Sequence, residues 1–389
     1  MKENKSHSSQ SSYSPIRVYR KKGPAPAKII AFLTIILLSA LLVSLVAMLV
    51  SGLLGKKGPS VPGETTASTN GAPDGTTDGS GTTVPETTDP AETTGPSEDK
   101  ITYQYVNKSH TEIAYGDLVL IDADHVFIGF SRVNLISLYD NQSTSSYKLS
   151  GSGHKLTEAA FRAFEKMMDD FVEATKKEVV STEESTAETT TGGSSEVVYT
   201  YFNDVQVTGA YRSFDYQNSL YKGGKNPDAA KPGSSDYHCG NTLSLNVLTD
   251  DGKTVELSSY AEESAWFKEN AHKYGFIFRY PSNKKGITGY SIPWQIRYVG
   301  VAHATYMKEN NLCLEEYLDE LAESHRYGES HIKMVAPDGK RYEIFYVPTP
   351  EAGELRLPIP DNRPFTVSGD NKGGFIVTIT AGDAPVTVG

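Results

Sequence analysis

The sequence predicts a domain of mixed α-helices and β-strands that follows a membrane-spanning helix and ends in a small β-rich segment. Three observations carry this prediction. Residues 29–54 contain no charged residue and are almost wholly apolar. Residues 157–174 place apolar side chains at helical spacing, whereas residues 242–248 alternate apolar and polar side chains as a half-buried strand does. Strand-forming residues then dominate the last part of the chain, at 342–347, 365–367 and 375–380.

The apolar run at 29–54 predicts a single membrane-spanning helix. Its 26 residues exceed the ~20 that cross a bilayer. Residues 1–28 carry seven Lys and Arg against one acid, a charge of +6, so the rest of the chain carries −17 to give the net charge of −11. Because basic residues stay on the cytoplasmic side, we expect a cytoplasmic N-terminus and an extracellular main domain at the cell membrane. A cleaved signal peptide is the alternative, although its apolar region normally has only ~7–15 residues.

Residues 55–100 predict a disordered spacer between the membrane and the folded domain. The stretch is rich in Thr, Gly, Pro and Ser and has no aromatic residue, so it cannot bury enough apolar surface to offset chain entropy. A second stretch of this kind, at about 175–195, predicts an exposed insertion in the folded domain. The acidic balance beyond residue 28 excludes nucleic acid as the expected partner, because phosphate binding requires clustered Lys and Arg.

Beyond residue 100 the pattern predicts a succession of helices and strands. Residues 117–122 form an apolar run that suits a buried strand, and Thr157 begins an amphipathic helix that runs to residue 174. A short strand at 205–209 leads into a helix through Gln217. The other predicted elements are the strand 242–248, the helix 264–274, the strand 276–280, the helix 313–323 and the C-terminal strands, the last two joined by a turn at 369–374.

Three segments resemble the VanY-type D-alanyl-D-alanine carboxypeptidases. They are GAYRSFDYQ at 209–217, KPGSSDYHCG at 231–240 and the long block from WFKENAHKYGF to WQIRYVG at 266–300. The resemblance implies the α+β fold shared by D-Ala-D-Ala metallopeptidases, lysostaphin-type endopeptidases and the hedgehog signalling domain. It assigns residues 101–333 to the carboxypeptidase-like domain and leaves 334–389 as the β-rich C-terminal segment.

The resemblance also implies a zinc peptidase site, and this chain departs from it at every catalytic position. The family holds zinc with two His and one Asp, and a Glu takes the proton of the zinc-bound water. With Ser235 and Gly240 of this chain in register, Tyr237 and Ser244 fall on the first two ligand positions. In the last block the base position holds Ile292 and the final His position holds Gln295. Since Ile accepts no proton and Ser and Gln are poor zinc ligands, no catalytic residue and no cofactor are expected.

A rearranged metal site is the alternative that the sequence leaves open. His238 lies one residue past the first ligand position, and Asp236, Asn246 and His303 supply other donor atoms. Zinc would be the cofactor in that case. The site would still lack a base at Ile292.

Arg212, Ser213 and Gln217 match the family positions that face the substrate peptide. A planar guanidinium suits a terminal carboxylate, so these three residues are the candidate substrate-binding set. The alternative for Arg212 is a structural ion pair with an acidic side chain of the protein. Trp294 and Arg297 are interpreted as scaffold.

These patterns support three hypotheses about function. The first is a catalytically inactive binding module of the bacterial cell wall, which holds peptidoglycan stem peptides or a cell-wall protein. The second is an active D-Ala-D-Ala metallocarboxypeptidase with a rearranged metal site, and the third is a structural or assembly domain.

Cys239 and Cys313 allow a disulfide outside the cell, and their separation in the fold decides whether it forms.

Overall fold

The structure is a computed structural model that describes residues 100–180, 197–222, 229–350 and 353–383. These residues fall in one compact unit. Within those ranges, no helix is long and apolar enough to cross a bilayer. The predicted tail at 1–28 and membrane helix at 29–54 lie outside the described residues, as does the spacer at 55–100 up to its last residue.

The described residues form a mixed fold of helices and mostly antiparallel sheets, which confirms the prediction of mixed secondary structure. The helices are α1 (Leu138–Asn141), α2 (Glu158–Ala174), α3 (Phe214–Lys222), α4 (Ala261–Asn270), α5 (Lys285–Thr288), α6 (Val301–Glu309) and α7 (Leu314–Ser324). Helix α2 begins where predicted, because the Thr157 hydroxyl accepts from the Ala160 N–H and caps the first turn.

The largest sheet is the frame on which the candidate site is built. Its strands are β3 (Lys148–Leu149), β7 (Val205–Gly209), β8 (Thr242–Leu248), β9 (Thr254–Glu256), β10 (Phe276–Tyr280) and β11 (Ile292–Tyr298). Their order in the sheet is β10-β11-β8-β7-β3, with β9 paired to β8. All of the pairs are antiparallel except β3 with β7.

One hydrophobic core joins this sheet to helix α2. The apolar stripe of α2 contributes Phe161, Phe164 and Phe171, all fully buried. The inward side chains of β7 and β8, such as Val207 and Leu245, belong to the same cluster. Burial of a large apolar side chain contributes ~1.5–3 kcal/mol, so this stripe fixes the helix against the sheet.

A second sheet is formed by the C-terminal part of the chain. The strands of this region and its partner strand are β1 (Tyr103–Ser109), β12 (Ile332–Val335), β13 (Lys340–Pro348), β14 (Glu354–Pro360), β15 (Phe365–Gly369) and β16 (Gly374–Asp383). The order in the second sheet is β12-β13-β16-β15, and a separate antiparallel pair joins β1 to β14. The predicted strands at 342–347, 365–367 and 375–380 and the turn between the last two are confirmed. The assignment of 101–333 and 334–389 as separate domains stays a prediction.

The predicted strand at 117–122 is wrong. Residues 118–121 are buried but belong to no strand. The reason is where their carbonyl groups bond: the Arg297 Nη2 donates to the Asp117 and Val119 carbonyls, each at 2.8 Å. The turn between β15 and β16 also holds this segment, because the Leu120 N–H donates to the Asp370 carbonyl at 2.9 Å. The segment is thus anchored by a buried side chain and a turn instead of a neighbouring strand.

The predicted insertion is only partly within the described residues. Its flanks pair as an antiparallel ribbon of β5 (Lys177–Val180) and β6 (Val197–Thr200), and residues 181–196 lie outside the description. A further two-stranded pair, β2 (Leu135–Ser137) with β4 (Lys155–Thr157), precedes helix α2.

Candidate functional site

The centre of the candidate site lies on three neighbouring strands of the main sheet. Ser244 of β8 pairs directly with Gln295 of β11 on one side and with Gly209 of β7 on the other. Side chains that face each other across an antiparallel pair lie on the same face of the sheet. Gly209 keeps this face open, because a Cβ there would lie 3.3 Å from the Tyr237 hydroxyl and 3.4 Å from the Ser244 Cβ.

Tyr237 closes this centre from the loop side. It lies in a 3-10 turn at Asp236–Cys239, and its hydroxyl forms a hydrogen bond with the Ser244 hydroxyl. Burial raises the pKa of Tyr237 above its ordinary value, although Arg212 and the Ser244 hydrogen bond oppose this effect. The phenol therefore stays neutral. The structure thus brings together three of the four substituted positions, 237, 244 and 295, and joins two of them by a hydrogen bond.

The fourth substituted position, Ile292, has an aliphatic side chain that can neither accept a proton nor bind a metal. Ile292 begins strand β11 and is 40% exposed, whereas Gln295 on the same strand is 2% exposed. A set of phenol, hydroxyl, amide and aliphatic side chains does not fit zinc, which prefers thiolate, imidazole and carboxylate. Across the described residues, no group of three or more His, Cys, Asp or Glu side chains is arranged to hold a metal ion.

His238, the alternative metal ligand, uses both ring nitrogens in hydrogen bonds within the protein. It is fully buried, its Nε2 accepts from the Gly233 N–H at 3.0 Å, and its Nδ1–H donates to the Arg212 carbonyl at 2.6 Å. Burial lowers the pKa of His238, so the ring stays neutral with both nitrogens occupied. The Phe130 ring packs edge-on against it at 4.8 Å. A ring without a free nitrogen cannot ligate a metal.

The other donors of the rearranged site lie in separate surroundings. Asp236 is buried between two arginines, with Arg279 Nε at 3.0 Å and Arg297 Nη1 at 2.7 Å from its Oδ1. Asn246 donates to the Thr208 hydroxyl at 2.9 Å. His303 bonds elsewhere through both ring nitrogens, to Tyr317 and Thr378.

Arg297 and Trp294 occupy the scaffold positions that the sequence predicts. Both side chains are buried. Arg279 also pairs with Glu315 through two contacts at 2.8 and 3.1 Å, so two arginines and two carboxylates form one buried network. Burial alone would raise the pKa of Asp236, but the attraction of Arg297 and Arg279 outweighs it and holds that pKa below its ordinary value. The network fixes β10, β11 and the turn that carries Tyr237.

Arg212 is a cation of the candidate site that has no acidic partner among the described residues. Its guanidinium lies over the Tyr237 ring at 4.0 Å, and one Nη1–H donates to Gln217 Oε1 at 3.2 Å. Gln217 is fully buried and donates in turn to the Ala230 carbonyl at 2.7 Å, which fixes its amide. No carboxylate of the described residues forms an ion pair with Arg212. Ser213, at the start of α3, is exposed beside it.

Cys239 and Cys313 are both buried and both free, so the disulfide does not form. Cys239 Sγ donates instead to the Asp236 carbonyl at 3.0 Å. Burial raises the pKa of both thiols, that of Cys313 to about 12. Neither is poised as a nucleophile.

Sequence comparison finds a family model and curated relatives that match part of the chain. The family model described as VanY, D-alanyl-D-alanine carboxypeptidase, matches residues 202–301. Residues 202–301 thus match the VanY family. Among curated proteins, a D-alanyl-D-alanine carboxypeptidase of Enterococcus faecium is 40% identical over 177 residues, covering 45% of this chain and 54% of that protein. One of Enterococcus faecalis is 38% identical over 110 residues, covering 28% of this chain and 39% of that protein. The chain thus spans about half or less of the length of these VanY-type relatives.

The fold is similar to that of a solved peptidase. The crystal structure of the vancomycin-resistance D,D-dipeptidase VanXYg, in complex with a D-Ala-D-Ala phosphinate analog, aligns with a TM-score of 0.56 at 23% identity. The alignment covers 72% of this chain and 99% of that one. The similarity in fold therefore extends well beyond residues 202–301, which the family model matches.

The motif register puts positions 237, 244 and 295 in one site, and the structure brings them together, but the register does not predict the hydrogen bond between Tyr237 and Ser244. The register with the VanY-type motifs put Tyr237 and Ser244 on two ligand positions of a single site. Two hydroxyl side chains there are the signal from which their hydrogen bond could have been predicted. The role of Asp236 as the buried counter-charge of Arg279 and Arg297 had no such local signal, since the arginines follow 43 and 61 residues later.

Proposed function

We propose that this chain is a membrane-anchored, extracytoplasmic D-alanyl-D-alanine carboxypeptidase-like protein of the cell wall that has lost catalysis and binds peptidoglycan stem peptides. The substituted positions support the loss of catalysis. The names of the two enterococcal relatives and the D-Ala-D-Ala analog in the similar structure support the ligand class.

The observation that carries the binding proposal is the geometry of Arg212. A guanidinium presents five N–H donors, and the hydrogen bond to Gln217 uses one of them. Stacking on Tyr237 holds the planar group in place, and no acid of the described residues neutralises it. Such a cation suits the terminal carboxylate of a peptide, which it can hold through two parallel hydrogen bonds.

The residues around Arg212 bind and orient without driving a reaction. Gln217 fixes the guanidinium. The exposed Ser213 hydroxyl accepts from the Tyr216 N–H at 3.2 Å and keeps its own hydrogen to donate to the peptide backbone. At the centre, the neutral Tyr237 and Ser244 hydroxyls bond to each other. No carboxylate stands at position 292 to take a proton from an attacking water. We therefore expect binding of the stem peptide without cleavage.

Binding is tested with the full chain, purified in detergent, and a stem pentapeptide that ends in D-Ala-D-Ala. We expect saturable binding by calorimetry, and weaker binding of the same peptide with a C-terminal amide. Arg212→Ala should weaken carboxylate binding by ~10–150-fold, because hydrogen bonds to charged groups contribute ~1.5–3 kcal/mol. Arg162→Ala is the matched control, since Arg162 is an exposed arginine of α2 whose partner is Glu158, at 3.6 Å.

The same samples separate the other hypotheses. Release of D-Ala with one zinc ion per chain would establish an active peptidase and refute the proposal. Absence of peptide binding in a folded protein would also refute it and leave an assembly role. Equal affinity for the carboxylate and amide peptides, unchanged by Arg212→Ala, would show that the ligand is not held through its terminus.

A further inference from the structure

A cavity lies away from Arg212, where residues 298–303 meet the C-terminal sheet. Its volume is about 360 Å³, within the ~300–1,000 Å³ typical of small-ligand pockets. The end of β11 and the first turn of α6 line one side, and strands β13, β15 and β16 line the other. Its lining includes Asp117, Tyr298, Asp338, Lys340, Tyr342 and Thr366.

Two tyrosines give this cavity rigid aromatic walls. The Tyr298 ring packs edge-on against Phe276 at 5.6 Å, which fixes its position. Tyr342 is held by its hydroxyl, which donates to Asp338 Oδ2 at 2.7 Å. An aromatic ring with a polar edge suits a ligand that has both C–H faces and hydroxyl groups.

The polar groups of the cavity offer both acceptors and donors. Asp117 and Asp338 each bring carboxylate oxygens, and Thr366 of β15 is exposed at the cavity. The Lys340 ammonium has no hydrogen-bond partner among the described residues. A ligand with several hydroxyl groups can pair with carboxylates, hydroxyls and an ammonium at once.

The first turn of helix α6 adds backbone donors. Gly300 precedes the helix with φ +90°, and no side chain caps the helix or places an acid in its first turn. Val301, Ala302 and His303 line the cavity. The first N–H groups of a helix have no partner within it, so they suit a carbonyl oxygen of a ligand, such as that of an acetamido group.

The charge of the cavity favours a neutral polymer of the cell wall over one with many phosphates. Two carboxylates against one ammonium leave the cavity without excess positive charge. A chain of phosphates would meet repulsion there, whereas a neutral sugar would not. Aromatic walls, groups that pair with hydroxyls and N–H groups that donate to a carbonyl oxygen together match a neutral N-acetylated sugar.

We propose that this cavity binds an N-acetylated hexosamine unit of the peptidoglycan glycan strand. The inference rests on the proposed function, since glycan and stem peptide belong to one polymer. The protein would then hold the polymer at two places, the stem terminus at Arg212 and the sugar backbone at Tyr298 and Tyr342.

The probe is tetra-N-acetylchitotetraose, titrated into the full chain in detergent. We expect saturable binding that Thr366→Arg weakens by roughly tenfold or more by placing a large side chain at the cavity. Thr254→Arg is the matched control, because Thr254 is an exposed strand threonine outside the cavity. Tyr342→Phe, which removes only the hydroxyl, should weaken binding more mildly while the chain stays folded.

The outcomes separate this inference from the proposed function. Arg212→Ala should leave sugar binding intact, and Thr366→Arg should leave pentapeptide binding intact. Failure of the sugar to bind, with the pentapeptide still bound, overturns only the glycan site. Binding of polyglycerol phosphate in place of the sugar also overturns it, as does sugar binding that Thr366→Arg and Thr254→Arg affect equally.

Discussion

Replacement of Asp236 by Asn tests the buried network that supports the candidate site. The side chain of Asp236 is fully enclosed and accepts from Arg297, Arg279 and the Thr242 hydroxyl, the last at 2.5 Å. Asn keeps the shape but removes the charge. Arg279 retains Glu315 as its counter-charge, whereas Arg297 retains only neutral carbonyl partners. The substitution therefore changes a neutral buried cluster into one of charge +1.

The expected cost follows from that unpaired guanidinium. Removal of one partner from a buried ion pair typically destabilises a protein by ~3–5 kcal/mol. Because Arg297 also holds the carbonyl groups of Asp117 and Val119, segment 118–121 should loosen with it. We expect the free energy of unfolding of Asp236→Asn to fall by ~3–5 kcal/mol at pH 7.

Urea unfolding, followed by tryptophan fluorescence, measures this change. Asp251→Asn is the control, because Asp251 is exposed and its neighbours Thr249 and Lys253 can also bond to an amide; its urea midpoint should not move. The folded pKa of Asp236 is depressed, so its contribution is present above the unfolded value of ~3.9 and is lost as pH falls through the folded pKa. A change below ~1 kcal/mol at pH 7 would refute the reasoning.

Three further predictions concern acid stability, the thiols and the orientation of Arg212. Burial lowers the pKa of His303 to about 3, so the protein should lose stability, by up to about 3 kcal/mol, as pH falls from about 6.5 to 4, and His303→Leu should flatten that slope in urea titrations. Ellman's reagent should label neither Cys239 nor Cys313 in the folded chain and both in urea, with no effect of reductant; slow labelling only after reduction would indicate a disulfide. Gln217→Ala should weaken pentapeptide binding several-fold through loss of the guanidinium contact, whereas unchanged affinity would show that Gln217 does not position Arg212.

Much of the fold follows from local patterns. The stripe from Phe161 to Phe171 and the cap at Thr157 fix helix α2, and the alternation in 242–248 fixes β8. The motif register puts Tyr237 and Ser244, which are seven residues apart, in one site, and their hydroxyls form a hydrogen bond in the structure. These signals act over short distances or within one sequence block, which is why the sequence alone carries them.

Hydrogen bonds and strand pairs between residues far apart in the sequence determine the elements that the sequence patterns do not predict. The apolar run at 118–121 has the composition of a strand, yet Arg297 lies 178 residues beyond Val119 and takes its carbonyl group. Strand β1 pairs with β14 across about 250 residues, so the β-rich C-terminal region includes a strand from the start of the described chain. Nor does sequence pattern show that both nitrogens of His238 are occupied, since Gly233 and Arg212 approach only in the folded loop.

The zinc content of the full chain tests the loss of catalysis most directly. We would measure zinc per chain after purification without chelators, beside the fourfold variant Tyr237→His, Ser244→Asp, Ile292→Glu and Gln295→His, and follow release of D-Ala from the pentapeptide. The account predicts zinc far below one per chain and no release in the natural protein, and about one zinc per chain in the variant. One zinc ion per natural chain, retained through dialysis and accompanied by D-Ala release, would contradict it.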